Sequence, residues 1–499
     1  MTAKPQSKLQ WKLNLAISLF LILVLFVAAN GLSYKHFYRK NIAISNYNKL
    51  SGMTLNLLKQ LPGEVKLVNF ASPQSQTDLA AYLLYNDVDA LITEYRYNGH
   101  NKVRVEKVDP FVDVENARSM ELKYKLTEDD NVVIVEYNGQ WKALSYRDLA
   151  TIDSSQAMMG GAPPKVEAFK GEQQITSAIQ ALVQGKKSRV YFLSGHGEYD
   201  IKSDLRSKEG YSTLRAYIER QNADVEKLNL VETGQIPNDA DLLVVAGPRS
   251  KYNPLEVDLL DKYLQQQGGG KGARLILMLD PDTDTGLENL LKDYGVQFQN
   301  DMVMAKIMLP GQVKVLPQAI GTKFAAHPAI DWMRKSGGNL SMGPARSLSV
   351  QPADKSKNST LTMLVQTPEA FWGEMDYKAG AAEYNPGRDL AGPLPVAVAV
   401  DTASVSGGQV QLKGDKIVAI GSGSLLMNQL IGQPQVDFFI NIMNWMLEGG
   451  KPLGIAPKAP QEFTVNISPR DIWTLAGILL LFPVFAGLLA VGLWFQRRN

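Results

Sequence analysis

The chain contains no cysteine among its 499 residues and only four histidines. The missing thiols exclude cysteine nucleophiles, disulfides and cysteine-ligated zinc sites, so the fold depends on packing for its stability. The histidines are scattered without metal-ligand spacing, and we expect no metal site. A net charge of +2 gives no strong attraction to nucleic acid. The phosphate-loop spacing G-x-x-x-x-G-K-[ST] is also absent, so we expect neither ATPase activity nor a bound cofactor.

An apolar segment lies near each end of the chain. Residues 13–33 include LNLAISLFLILVLFVAA, and residues 472–495 include IWTLAGILLLFPVFAGLLAVGLWF, which has no charged residue. Both are long enough to be transmembrane helices, the first being near the short limit of about 17 residues. The first segment favours a retained anchor over a cleaved secretory signal, because its apolar run is long for a signal peptide. Arg497 and Arg498 favour a cytoplasmic C-terminus, so two spans place both ends inside and residues 35–470 outside.

Between these segments the pattern indicates two α/β regions. Residues 40–150 read as a small α/β domain, residues 151–168 as a linker rich in glycine, proline and small residues, and residues 169–455 as a second domain. In the second domain, continuously apolar strands such as RVYFLS, ADLLVVAGP and ARLILMLDPD alternate with helical patterns, of which GLENLLKDYGV is one. This alternation predicts a parallel sheet covered by helices on both faces.

Polar turns follow three of the predicted strands. They are SGHGE with His196 and Glu198, GPRS with Arg249, and DPDTDTG with Asp280 and Asp282. Ligands of open α/β sheets bind beyond the carboxyl ends of the strands, so neighbouring strands would bring these five side chains together. His196 and Glu198 could then act as acid and base, contact a ligand or partner, or only satisfy amides of the turn. No nucleophile accompanies them, because Ser194 lacks the G-x-S-x-G turn.

Two turns, DPDTDTG and GSGSLLMN, have partial resemblances to known sites. The spacing of Asp280 and Asp282 is similar to an aspartyl phosphatase motif and to a calcium loop, yet neither pattern is completed. A polar loop stabilised by an Asx-type turn is the favoured interpretation. GSGSLLMN, residues 421–428, could hold an anion on its backbone amides, or it could be a tight turn from strand to helix.

The order of these motifs resembles the GldG-type auxiliary proteins of ABC transporters. The resemblance is carried by GEQQITSAIQALVQGKKSRVYFLSGHGEYD, IPNDADLLVVAGPRSKYNPLEVDLLDKYLQQQGGG and LILMLDPD, and then by IVAIGSGSLLMN, FFINIMNWMLEGGKPLGIAPK and a final apolar segment closed by two arginines. It covers most of the chain. One departure is that Gly421–Leu425 stands where family members often have an acidic, aromatic turn of the GDSDF kind.

The resemblance implies a domain similar to class I glutamine amidotransferases but without their cysteine. It also implies a non-catalytic subunit of a bacterial inner membrane complex, with an ABC ATPase, a polytopic permease and membrane lipid as partners. The gliding role of the member that names the family need not transfer to this chain. Two alternatives stay open: an extracytoplasmic hydrolase or amidotransferase-like enzyme using His196 and Glu198, and a ligand-binding module that feeds the transporter.

Overall fold

The structure is a computed structural model, and it describes most of the chain between residues 49 and 447. The gaps in this range are 76–77, 155–156, 158–160, 162, 186, 266–271, 310–311, 352–358, 380–382, 403, 407–408 and 412–413. Residues 455, 457–458 and scattered positions within 16–28 and 477–494 are described as well. The two main sheets lie in one compact unit, Tyr47–Asn499.

The predicted transmembrane segments, 13–33 and 472–495, lie largely outside the described residues. The positions that are described within 16–28 and 477–494 are helical. Large apolar side chains there are exposed, for example Leu25 and Leu479, each at 73%. Across the described part of the chain, no helix is both long and apolar enough to cross a membrane. The two spans therefore stay predictions.

Helices and strands alternate along the described residues. The helices are α1 (Gly52–Gln60), α2 (Leu79–Gly99), α3 (Val114–Tyr124), α4 (Gly171–Val183), α5 (Ser212–Glu219), α6 (Leu230–Thr233), α7 (Pro254–Gln265), α8 (Asp331–Ser336) and α9 (Gln433–Leu447). The first twelve strands are β1 (Val65–Phe70), β2 (Val103–Val108), β3 (Val132–Tyr137), β4 (Gln140–Ser145), β5 (Ala150–Asp153), β6 (Lys165–Phe169), β7 (Ser188–Leu193), β8 (Ala223–Leu228), β9 (Leu242–Ala246), β10 (Arg274–Met278), β11 (Val296–Phe298) and β12 (Met302–Leu309). The other twelve are β13 (Gln312–Pro317), β14 (Ala319–Gly321), β15 (Lys323–Phe324), β16 (Leu340–Gly343), β17 (Leu348–Val350), β18 (Ser359–Gln366), β19 (Trp372–Glu374), β20 (Leu390–Ala391), β21 (Pro395–Thr402), β22 (Ser404–Ser406), β23 (Gln409–Gln411) and β24 (Lys416–Ile420).

The first sheet has four strands in the order β2-β1-β3-β4. β1 and β2 run parallel and are joined through α2, whereas β3 and β4 form an antiparallel hairpin beside β1. Successive side chains of a strand alternate between the two faces. Val65 and Leu67 therefore pack in the core with α2 and α4, while Val68 and Phe70 pack with α3 on the other face.

The second sheet has eight strands in the order β15-β18-β21-β24-β10-β9-β7-β8. The five strands from β24 to β8 are parallel. Phe192 and Val244 face a core that includes α5 and α9, and Leu193 and Val245 face one that includes α7. The structure therefore confirms the prediction for these five strands, which are parallel and have helices on both faces.

The other three strands correct the predicted all-parallel sheet. β21 runs antiparallel to β24, β18 to β21 and β15 to β18, so the sheet is mixed. The connection from β21 to β24 spans residues 403–415 and carries the antiparallel β22–β23 pair. Crossovers between parallel strands are usually helical, whereas this connection is built from strands and returns the chain antiparallel to β21.

Two local predictions also differ from the structure. The stretch 151–168, predicted as a linker, contributes to the β5–β6 pair. GLENLLKDYGV, predicted as a helix, forms turns and a single 3₁₀ turn at Lys292–Tyr294. Gly286 and Gly295 border it with φ values of 77° and 80°, and so short a stretch is marginal for an α-helix. Leu287 and Leu291 are nevertheless fully buried.

Candidate functional site

The predicted polar turns meet at one edge of the eight-stranded sheet. β7, β9, β10 and β24 are parallel, so their carboxyl ends share that edge. The turns that leave it contain His196 and Glu198, Arg249, Asp280, and the GSGS turn respectively. The backbone N–H of Arg249 donates to the carbonyl oxygen of His196 at 2.8 Å, which joins the first two turns. We call this region the carboxyl-edge cluster.

His196 is held on several sides by its own chain. Its ring stacks on Tyr252 with 4.0 Å between the ring centroids. Nε2 lies 3.1 Å from Oε2 of Glu256, and Nδ1 lies 3.7 Å from Oε1 of Glu198. Glu198 accepts hydrogen bonds from the backbone N–H of His196 at 2.8 Å and from the Tyr252 hydroxyl at 2.5 Å. Burial, and next the charge of Glu198, raise the pKa of Tyr252, so the phenol stays protonated and donates. The imidazole is only 11% exposed.

Glu256 and Tyr252 were not among the residues predicted for this site. Glu256 closes a capping box at the start of α7: its side chain accepts from the Asn253 N–H, and its own N–H donates to the Asn253 side chain, both at 3.1 Å. The spacing Asn253-Pro254-x-Glu256 after an apolar strand is the sequence signal that could have found it. The same carboxylate thus fixes the helix start and faces the imidazole.

The side chain of Asp280 reaches the GSGS turn, where the sequence leaves an anion site as one interpretation. Its Oδ1 accepts from the backbone N–H groups of Gly423 at 2.8 Å and Ser424 at 3.1 Å. Tyr199 hydrogen-bonds to the same carboxylate. Burial raises the pKa of Asp280, and the two amides and Tyr199 partly offset that effect. The backbone amides of this turn are therefore occupied by a carboxylate of the chain itself.

Glycine is required where these turns approach one another. Gly247 has a φ of 59°, and a Cβ there would lie 2.5 Å from Oδ2 of Asp280 and 2.5 Å from the Tyr199 ring. Gly197 has a φ of 79°, and a Cβ there would lie 3.2 Å from Cβ of Arg249. Both residues have left-handed backbone conformations that other residues adopt only with strain.

Arg249 lies at the solvent side of the cluster. Its Nη2 is 2.7 Å from Glu209, and its guanidinium carbon is 5.2 Å from the centroid of the Tyr199 ring. The hydrogen bond with Glu209 is the main cause that raises the pKa of Arg249. The two charged side chains are 53% and 60% exposed, which leaves both accessible to a partner.

Among the described residues, Asp282 forms no side-chain hydrogen bond or ion pair with the other four predicted residues. Its backbone is left-handed, with a φ of 61°, and its Oδ1 lies 2.6 Å from Nζ of Lys378. Both side chains are more than half exposed. The phosphatase-like pairing of Asp280 with Asp282 therefore has no support in this geometry.

The contacts of the His196 ring include carboxylates and a phenol. In the described part of the chain, no serine or threonine hydroxyl hydrogen-bonds to the His196 ring, and the sequence has no thiol. Ser250 donates instead to the backbone oxygen of His196 at 3.2 Å. No three acidic or imidazole side chains of the described residues are grouped to hold a metal ion.

A family model described as an ABC-type uncharacterized transport system matches residues 187–444. The chain belongs to this family of transport-system auxiliary components. The matched range contains the whole eight-stranded sheet and the carboxyl-edge cluster. The predicted resemblance to GldG-type auxiliary proteins is thereby confirmed.

Other similarities of this auxiliary protein are more distant. The human and mouse intraflagellar transport protein 52 homologs are each 28% identical over 110 residues, which is 21% of this chain and 24% of theirs. The chain thus spans about a quarter of the length of these curated relatives. The solved N-terminal domain of mmIFT52 is 18% identical with a TM-score of 0.36, covering 52% of this chain and 99% of that domain. A ThuA-like protein from Bacteroides uniformis is 10% identical with a TM-score of 0.28, and the match covers 53% of this chain and 94% of that protein. The amidotransferase-like fold stays a prediction.

Proposed function

We propose that the chain is a non-catalytic accessory subunit of an ABC-type transporter and that the carboxyl-edge cluster is its partner-binding surface. The observation that carries the proposal is membership of the auxiliary family over a range that contains the cluster. The fixed imidazole supports a binding role over turnover, because its neighbours are carboxylates and a phenol of the same chain.

Exposed apolar side chains around the cluster support a protein partner. Leu205, Val231 and Leu255 lie in the connections that follow β7, β8 and β9, and they are 75%, 64% and 76% exposed. The exposed residues Glu209 and Arg249 lie in the connections that follow β7 and β9 as well. The buried centre of a protein interface is more apolar than its rim, and arginine is enriched at interfaces relative to the rest of the surface.

The partners we propose are an ABC ATPase subunit and a polytopic permease. We expect both to co-purify with the tagged full-length protein from membranes extracted in a mild detergent. Recovery of the protein without a nucleotide-binding subunit under these conditions would contradict the accessory role.

A pair of variants tests the surface itself. Leu255→Asp should lower recovery of the partners several-fold, because it places a charge at an exposed apolar position of the interface. Leu122→Asp is the matched control, since Leu122 is 80% exposed on α3, away from the eight-stranded sheet. Equal recovery with both variants would place the docking surface elsewhere.

We also propose that the apolar segments at 13–33 and 472–495 anchor the protein in a bacterial inner membrane, with both termini cytoplasmic and residues 35–470 outside. The absence of native cysteine allows a clean test by single-cysteine labelling. A membrane-impermeant maleimide added to intact spheroplasts should label Ser119→Cys, at an exposed position of α3, and not Asn499→Cys. The reverse pattern would refute this orientation.

A further inference from the structure

A cavity of about 390 Å³ lies between the first sheet and the α5 and α9 side of the second. Asp78, Asp130 and Asp148 line it from the first sheet region, and Arg220 and Asp437 line it from the second. This volume falls in the range of about 300–1,000 Å³ that is typical of small-molecule sites, which are often found where two domains meet. Neither the family match nor the carboxyl-edge cluster accounts for it.

The walls of this cavity are tied to each other directly. The Ala143 N–H donates to the Arg220 carbonyl oxygen at 2.8 Å, and the Gln221 side chain donates to the Ala143 carbonyl oxygen at 3.1 Å. Arg220 pairs with Asp130 at 3.1 Å, and Arg147 pairs with Asp437 at 3.0 Å. The cavity is therefore formed before any ligand enters, which reduces the entropy cost of binding.

The charge of the lining is unbalanced. Five aspartates and two arginines line the cavity, and Arg147 is shared between Asp437 and Asp78. Asp148 has a hydrogen bond with Asn441 but no arginine partner among the described contacts. Burial, then the charge of Asp437, raise the pKa of Asp148 to about 7, against the opposing charges of Lys142 and Lys170. Burial also raises the pKa of Asp437. A positive charge inside the cavity would stabilise both carboxylates.

The other side chains that line the cavity indicate which kind of cation it would bind. No group of three acidic or imidazole side chains in the described residues is arranged for a metal ion. Amide side chains such as Asn131, Gln433 and Asn441 offer both hydrogen-bond donors and acceptors, while Val436 and Ile440 offer apolar contact for methylene groups. An organic cation with a short carbon chain matches this combination better than a bare ion.

We propose that this cavity binds a small polar molecule that carries an ammonium or guanidinium group, with Asp148 as the carboxylate that receives the cation. The proposal does not depend on the accessory role or on the carboxyl-edge cluster. It gives the auxiliary protein a ligand site formed jointly by its two sheets.

Isothermal titration of the full-length protein in detergent with agmatine tests the proposal, because agmatine carries both cationic groups and keeps its charge up to pH 8. We expect binding that is about tenfold tighter at pH 8 than at pH 6, since Asp148 must ionise to receive the cation. At pH 6.5 agmatine should displace protons, which comparison of buffers with different ionisation enthalpies would reveal. Butane-1,4-diol, which is uncharged, should not bind.

Asp148→Asn should abolish agmatine binding, whereas Asp258→Asn, on an exposed face of α7, should leave it unchanged. No binding of agmatine at millimolar concentration, equal binding by Asp148→Asn and wild type, or an affinity independent of pH would each overturn the proposal. Because the pH profile is measured on the wild-type protein, the test stands even if Asp148→Asn does not fold.

Discussion

At the scale of single residues, Asp280 fills the place that a bound anion would take at residues 423–424. Asp280→Ala should lower the free energy of unfolding by about 2–4 kcal/mol, because it leaves the buried N–H groups of Gly423 and Ser424 without an acceptor. Urea denaturation followed by circular dichroism measures this change. Asp282→Ala, which breaks only an exposed ion pair, should leave the free energy of unfolding nearly unchanged. Equal losses for the two variants would contradict this role of Asp280.

Part of the cluster could be predicted from sequence, and part could not. His196, Glu198, Arg249 and Asp280 follow apolar strands, and the rule that parallel strands end at a common edge is enough to bring them together. Tyr252 reaches Glu198 only through the packing of the α7 region against the first turn, which no local pattern encodes. Asp282 also follows an apolar strand, so the sequence pattern groups it with the other four residues. Its left-handed backbone and its ion pair with Lys378, almost a hundred residues away, separate its side chain from the cluster.

The raised pKa of Asp148 makes the free energy of unfolding depend on pH, and the direction of the shift determines the direction of that dependence. Its pKa of about 7 in the folded protein lies above the ordinary value of 3.8, so between these values the folded state holds a proton that the unfolded state has released. The free energy of unfolding should therefore fall as pH rises from about 4 to 7, by about 1–3 kcal/mol.

Thermal or urea unfolding across this pH range, compared with Asp148→Asn, checks that expectation. The variant has no titrating group at this position, so its stability should fall less steeply with pH, with Asp437 left to contribute the remainder. A variant with the same slope as the wild type would show that Asp148 titrates normally.

At the scale of elements, α4 belongs to the core of the first sheet, although the sequence pattern assigns it to the second domain. Ile175, Ile179 and Leu182 of α4 are buried together with Leu67 and Leu91. Ile179→Ala should cost about 2–4 kcal/mol and raise hydrogen exchange in β1 and β3 more than in β7 and β9. Gln174→Ala on the same helix should change neither measurement. Faster exchange confined to β7 and β9 would place α4 with the second sheet.

The elements that sequence predicts well are those determined by local periodicity. The apolar strands β7, β9 and β10 and the helices α7 and α9 are recognisable because their neighbours in sequence decide their pattern. The antiparallel strands β18 and β21 are different, since strand direction depends on which connection closes the sheet. The short stretch between Gly286 and Gly295 has helical spacing of its leucines, but its two left-handed glycines limit it to turns.

At the scale of the whole molecule, the two sheets are joined by a small number of polar links around one cavity. Arg147 is central to them, because its guanidinium lies 3.0 Å from Asp437 and 3.5 Å from Asp78, whose side chains are about nine-tenths buried. Arg147 and Asp437 lie 290 positions apart in the sequence, so sequence patterns could not show that the predicted domains share a wall.

Arg147→Ala should therefore weaken the coupling between the two sheets. The substitution leaves two nearly buried carboxylates without their cation. Breaking a fully buried pair in this way lowers the free energy of unfolding by about 3–5 kcal/mol. We expect about 1–3 kcal/mol here, because Arg147 is 31% exposed to the solvent. Scanning calorimetry should show the unfolding peak broadening or dividing in two as the first sheet unfolds independently. Lys187→Ala is the control, because Lys187 pairs with Asp224 at an exposed site and should leave the peak unchanged. A single peak at the wild-type temperature for Arg147→Ala would mean that the backbone links at Ala143 and Arg220 are sufficient to couple the two sheets.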